Sequence, residues 1–223
     1  ENCSCSALTA VANKIVISSF IHVEYIRIKL KKLIFLAMKH AHLIWNEIDA
    51  KQVYKCRVFS VQDTTSEAPD GTKNVFSVID APDWAIVIPV LDTPAGKRFL
   101  MVRQWRHGSR SLSLEFPGGV LEAGESDIAG AQRELAEETG WKAGNIIKLG
   151  EFSPNPAIMS NRLHVFLAKD LIYTGKQDLD DDEYVDVEQI PVDEVLKGMG
   201  KEPYIHALMA SALCLYLALG SGA

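Results

Sequence analysis

The chain has 223 residues, 48% of them hydrophobic and 23% charged, the composition of a soluble globular protein with one sizeable core or two small domains. A formal charge of -6 argues against a nucleic-acid partner, which needs a basic face. Within residues 1–37 no uncharged run reaches the ~18 residues that span a membrane, Ile15 to Val23 being nine, and no membrane partner is expected.

The first 37 residues do not match the rest. The chain opens on Glu1, and Ile26-Arg-Ile-Lys-Leu-Lys alternates with period two, as a strand or a basic surface element would. Met38 would serve as the start of a compact protein, so residues 1–37 read as an appended or poorly ordered lead-in. Cys3, Cys5, Cys56 and Cys214 show no metal-ligand or redox spacing, and free thiols in a reducing cytoplasm are expected.

From Leu43 the pattern becomes interpretable. Val53–Val61 has strand character, Pro69-Asp-Gly71 is a turn signal, and Asn74–Ile79 reads as the returning strand of an antiparallel ribbon over residues 38–82. Two strands cannot bury a face alone, so the ribbon must pack on the main domain or on a second subunit. Trp84–Leu91 is a continuous apolar run of the buried-strand kind, Pro94-Ala-Gly96 turns the chain, and Phe99–Trp105 and Ser111–Phe116 are further strands.

Gly119 to Trp141 is a glycine-rich loop feeding a short helix. Ser126 is its N-cap, Asp127 lies in the first turn where the helix dipole favours negative charge, and Gly140 follows its end. Ile128, Ala131 and Leu135 share one sector and form the predicted buried stripe. Glu134 and Glu138 are four residues apart and repel, with Glu137 nearby and Arg133 as relief. A divalent cation bound by carboxylate oxygens, Mg²⁺ or Mn²⁺ in its place, makes this arrangement favourable; a solvated acidic face is the alternative.

Beyond the helix, Ile146–Leu149 and Leu163–Ala168 are short strands separated by the loop Ser153–Asn161. Asp178–Glu183 is an acidic loop, Tyr184–Val187 one more strand, Pro191–Lys197 a short helix, and Tyr204–Leu219 a final helix, amphipathic to fully buried. The order implies an α+β fold with a mixed sheet between helices over residues 83–223.

The string from Gly119 satisfies G-x5-E-x7-R-E-U-x-E-E-x-G-U, with U a bulky apolar residue and Trp141 its one mild departure. It resembles the Nudix box of the Nudix hydrolases. Val102-Arg-Gln-Trp-Arg106 and Glu115-Phe-Pro-Gly-Gly119 resemble the ADP-ribose pyrophosphatase branch, as do the ribbon from Trp45, the Ser153–Asn161 loop and the residues around Gly200–Leu208. The resemblance implies hydrolysis of a nucleoside diphosphate-sugar, ADP-ribose giving AMP and ribose 5-phosphate. It implies Mg²⁺ on Glu134, Glu138 and the Gly118 carbonyl, with Glu137 a further ligand or a holder of water. Arg133 would pair with Glu125 to keep loop and helix in register, and Gly119 and Gly124 allow the tight loop.

Arg106 and Glu115 are candidates for gripping the diphosphate-sugar portion, with a surface ion pair as the alternative for Arg106 and a second-metal role open for Glu115. The general base is sought in the acidic loop, at Asp182 or Glu183 with Asp180 next. His164 and His206 read as packing or capping residues. Trp45 or Tyr54 is a candidate for stacking on adenine, ordinary ribbon packing being the alternative. The resemblance also implies a homodimer that shares its base pocket.

Two other readings stand beside this one. A Nudix hydrolase of GDP-mannose, a dinucleotide or an oxidised nucleoside triphosphate would share the box; the further motif of NADH-type enzymes is not found. A non-catalytic domain sensing ADP-ribose often lacks box carboxylates, and here each is present.

Overall fold

The continuous apolar run in mid-chain is a strand buried on both faces. In the computed structural model, which describes residues 39–220, strand β4 (Trp84–Thr93) sends Ile86, Ile88 and Val90 into one apolar cluster and Ala85 and Val87 into another. Successive side chains of a strand point to opposite faces, so a strand covered on both sides needs no polar alternation. Strand β9 (Leu163–Tyr173) runs parallel to it and divides in the same way, Leu163, Val165 and Leu167 against Phe166 and Ala168.

Five more strands complete a seven-stranded mixed sheet. Strand β5 (Gly96–Arg106) pairs antiparallel with β4, and β10 (Val185–Pro191) with β5; β8 (Trp141–Phe152) pairs with β9. Strand β6 (Ser111–Glu115) lies on β5, and the short β7 (Gly118–Val120) on β4. Helix α1 (Asp127–Thr139) covers one face through Ala131 and Leu135. Helices α2 (Val192–Gly198) and α3 (Ala207–Gly220) cover the other through Val195, Met209, Ala212 and Leu213. This is the α+β architecture expected from the order of elements, a mixed sheet between helices.

Ahead of it, β1 (Asn46–Lys55), β2 (Ser60–Glu67) and β3 (Lys73–Asp80) form an antiparallel three-stranded sheet. The chain divides into two compact units, residues 39–51 with 63–76, and residues 52–62 with 77–220. The expected single strand Val53–Val61 is interrupted by a turn, closed by the Cys56 N–H donating to the Phe59 carbonyl at 2.9 Å. That stretch holds neither Gly nor Pro, so nothing in its composition marked the reversal. The turn at Pro69-Asp-Gly71 forms as expected, with the Ala68 N–H on the Thr72 carbonyl at 2.8 Å.

Three further expectations are corrected. Strands β8 and β9 extend well beyond Ile146–Leu149 and Leu163–Ala168, because their antiparallel ladder continues through polar residues from Trp141↔Tyr173 to Phe152↔Leu163. The last helix starts at Ala207, not Tyr204; Tyr204 is buried ahead of it, its hydroxyl 3.2 Å from Glu194 Oε1. That helix is not fully buried, since Leu217 and Leu219 are exposed and one face alone meets the sheet.

The lead-in 1–37, its Cys3-x-Cys5 pair, the alternating Ile26–Lys31 stretch and Met38 lie outside the described residues. Among the described residues, no helix is long and apolar enough to cross a membrane.

Candidate active site

Helix α1 has defined ends. Ser126 Oγ accepts from the Ala129 N–H at 3.3 Å, and Gly140, at φ +71°, donates its N–H to the Ala136 carbonyl at 2.8 Å. Of the expected stripe, Ala131 and Leu135 are buried but Ile128 is 42% exposed. Leu121 and Glu125 of the preceding loop close over Gly130 instead, leaving Ile128 on the outside of the first turn. The buried face therefore runs from Gly130 and Ala131 to Leu135, Glu138 and Thr139.

Two glycines bring the loop against that face. A Cβ on Gly118 would sit 2.2 Å from the Ala85 carbonyl oxygen of β4, and one on Gly119 would sit 2.6 Å from Glu134 Oε1. The Gly118 N–H donates to Glu138 Oε2 at 2.8 Å. Strand β4, the Gly118-Gly119 pair and the carboxylates of Glu134 and Glu138 thus meet at one place.

Both carboxylates are largely withdrawn from water. Burial pushes Glu138 up to about 8; the Gly118 N–H opposes this, while the charges of Glu134 and Glu183 add to it. Burial also raises Glu134, against the pull of Arg133. Arg133 is committed on several sides: two bonds of 3.1 Å to Glu125, 2.9 Å each to Glu134 Oε1 and Glu137 Oε2, and 3.0 Å to the Val120 carbonyl. It joins loop to helix, and the partner of Glu138 is a backbone N–H.

Adjacent buried carboxylates with raised pKa values form a place where a divalent cation is stabilising, and hard oxygen donors suit Mg²⁺. Among the described residues, no three His, Cys, Asp or Glu side chains already converge as a complete ligand set. Glu137 is turned to Arg133, and both oxygens of Glu115 are held by Arg106, at 2.9 and 2.6 Å.

Glu115 is 1% exposed; burial alone would raise its pKa, but the bonds and charge of Arg106 outweigh it and hold the carboxyl below its usual range. The pair faces a cavity of about 610 Å³, which Gly118 and Gly119 also line. His206, read earlier as a packing or capping residue, lines it too, as does Ser113. The alternation of Ser111, Ser113 and Glu115 was a signal for Ser113; nothing in the pattern marked His206.

The candidates in the acidic loop separate. Asp182 Oδ2 accepts from Arg57 at 2.9 Å in an exposed pair, while the charge of Glu183 bears on Glu134, Glu138 and Arg106. The Asp180 N–H donates to Glu183 Oε2 at 3.2 Å. In the first unit, Trp45 packs edge-on against Phe76, ring centres 5.3 Å apart. Tyr54 tilts against Phe59 at 6.2 Å.

Residues 82–209 match the family model described as NUDIX domain. The chain belongs to the Nudix hydrolase family. It is a Nudix-fold hydrolase acting on phosphoanhydride bonds, and a nucleoside-diphosphate compound is the class of substrate. The chain is similar to an ADP-ribose pyrophosphatase of Bacillus subtilis (strain 168), 33% identical over 74% of this chain and 89% of that protein. It is also similar to a methanol dehydrogenase activator of Bacillus methanolicus, 30% identical over 77% of this chain and 91% of the relative. Among solved structures, an ADP compounds hydrolase shares the Nudix fold with a TM-score of 0.70, covering 80% of this chain and 95% of its own, at 24% identity.

Proposed function

We propose that this Nudix hydrolase cleaves the pyrophosphate of ADP-ribose, giving AMP and ribose 5-phosphate, with Mg²⁺ or Mn²⁺ as cofactor. The observation that carries the reading is the meeting of Glu134 and Glu138, both largely buried, with the Gly118-Gly119 turn at the edge of a nucleotide-sized cavity. The similarity to a named ADP-ribose pyrophosphatase over most of both chains supports the choice of substrate.

Glu134, Glu138 and the Gly118 carbonyl would hold Mg²⁺, with Glu137 as a further ligand or a holder of water. When bound, the cation neutralises phosphoryl charge and acidifies a water molecule. Arg133 ties Glu125 to the helix, so the carboxylates are presented on a fixed frame. Arg106, braced by Glu115, faces the cavity where the diphosphate-sugar portion would lie. Glu115 would join the ligand set only by releasing Arg106. Within the acidic loop Glu183 is the better candidate for general base, since its charge already reaches Glu134 and Glu138 while Asp182 is engaged by Arg57.

Residues 38–82 are proposed as a separate ribbon from the hydrolase domain 83–223, forming a homodimer and contributing Trp45 to a shared base pocket. Ile48, Val53, Tyr54, Val75 and Phe76 are exposed on β1 and β3, more apolar surface than an isolated sheet would keep in water. Purified protein with Mg²⁺, offered ADP-ribose, GDP-mannose, NADH and nucleoside triphosphates, tests the reading. ADP-ribose is expected to be turned over with the highest kcat/KM, and a preference for any other of these overturns the assignment.

A further inference from the structure

One wall of the 610 Å³ cavity carries buried polar atoms that make no hydrogen bond among the described residues. On β6 the alternation puts Ser111, Ser113 and Glu115 on one face and Leu112 and Leu114 on the other. Ser113 is 2% exposed; its hydroxyl lies beside the Glu115 carboxylate and helps hold it below its usual range, yet makes no well-aligned hydrogen bond among the described residues. The segment before α3 runs along the free edge of β6, the Leu114 N–H donating to the Pro203 carbonyl at 3.1 Å. It delivers His206, whose buried Nδ1 lies 3.3 Å from Glu115 Oε2 but off the bonding direction. Folded proteins rarely leave one such atom unsatisfied, and here two sit beside the same carboxylate on the wall of an open cavity.

The neighbours restrict what fills the gap. The Arg106–Glu115 charges cancel, so the cluster offers a phosphate no net attraction, and a guanidinium already occupies the place a metal ion would take. A hydroxyl group donates and accepts at once and suits a hydroxyl, an imidazole nitrogen and a carboxylate together. Trp84, Phe116, Leu163 and Leu208 line the same cavity and would cover the apolar faces of a ring. The Gly118-Gly119 end, beside Glu134 and Glu138, is left for the diphosphate.

We propose that Ser113 and His206, beside the Arg106–Glu115 pair, bind the hydroxyl groups of the sugar carried on the second phosphate and select for substrates that have them. This assignment rests on the pyrophosphatase reading above. It is tested with two substrates that share the AMP half: ADP-ribose, and the methyl ester of ADP, which carries no sugar on its second phosphate. The wild-type protein is expected to prefer ADP-ribose by at least ~100-fold in kcat/KM, because a site built to bond hydroxyls rejects an analogue that lacks them.

Ser113→Ala and His206→Leu should each lower kcat/KM for ADP-ribose by about 10-fold while leaving the methyl ester within about 3-fold, and His206→Gln should recover part of the loss. The thermal midpoint of Ser113→Ala should hold or rise, since the change removes an unpaired buried hydroxyl. Equal losses on both substrates, as a nucleobase in this pocket would produce, overturn the proposal, and so does unchanged selectivity in the double variant. Calorimetric titration of the metal-free protein with the two compounds separates binding from hydrolysis. Selective binding of ADP-ribose that needs both side chains, without turnover, keeps the subsite and refutes the pyrophosphatase. Turnover of ADP-ribose indifferent to both side chains does the reverse.

Discussion

Glu138 is the residue whose surroundings most constrain its chemistry. Burial pushes its carboxyl up to about 8 from an ordinary 4.5, so the folded state holds the proton more tightly than the unfolded chain. Stability is therefore highest below the unfolded value and is lost as pH rises from about 4.5 to about 8. At about 1.4 kcal/mol per unit the full effect is several kcal/mol. The thermal midpoint of chelated protein should fall between pH 5 and 8, within the window set by that shift. Glu138→Gln should flatten the curve, and Mg²⁺ should raise the midpoint at the alkaline end; a flat wild-type profile contradicts this. At Gly119, a methyl group would meet the Glu134 carboxylate at 2.6 Å, so Gly119→Ala should cut turnover by about 10-fold or more while circular dichroism stays native. These residues were singled out by the resemblance of Gly119–Trp141 to the Nudix box, since the spacing of the carboxylates alone left a solvated acidic face as the alternative. That Glu134 is the group Gly119 makes room for was not legible there, because it depends on how β7 and α1 meet.

At the scale of elements, the acidic loop and the helix make separable predictions. Glu183→Gln should lower kcat by about 10²–10³-fold, as loss of a general base does. Asp182→Asn should stay within a few-fold, since its contact with Arg57 is an exposed pair of little energetic weight; equal effects would remove the basis for choosing between them. Leu135 is fully buried on the sheet-facing side of α1, and Leu135→Ala should cost about 2–5 kcal/mol in denaturant titration. Helix α1 was legible in the sequence because cap, apolar spacing and terminal glycine agree on one element. The Cys56–Phe59 turn was not, since its residues read as continued strand and pairing with neighbours decides the reversal. Ile128 misled for a related reason: helical periodicity marks a sector, but the loop covering Gly130 decides how far along the helix that sector is buried.

For the whole molecule, the uneven distribution of apolar surface is the main feature. The mixed sheet is covered on both faces, while β1 is exposed along all ten residues and carries Ile48, Val53 and Tyr54. If this sheet forms the dimer, sedimentation should give twice the chain mass, and Ile48→Asp with Val75→Asp should yield monomers; a wild-type monomer at micromolar concentration contradicts it. The mixed sheet was legible because its central strands β4 and β9 carry apolar runs buried on both sides, whereas a sheet with small polar residues along β2 gives little periodic signal. The central claim is that Glu134 and Glu138 hold the cation that supports cleavage of a phosphoanhydride. It is tested most directly by following ADP-ribose to AMP and ribose 5-phosphate with Mg²⁺, with chelator, and in Glu138→Gln. Turnover that stops with chelator and falls at least ~100-fold in the variant is the expected result; undiminished turnover by Glu138→Gln would contradict the account.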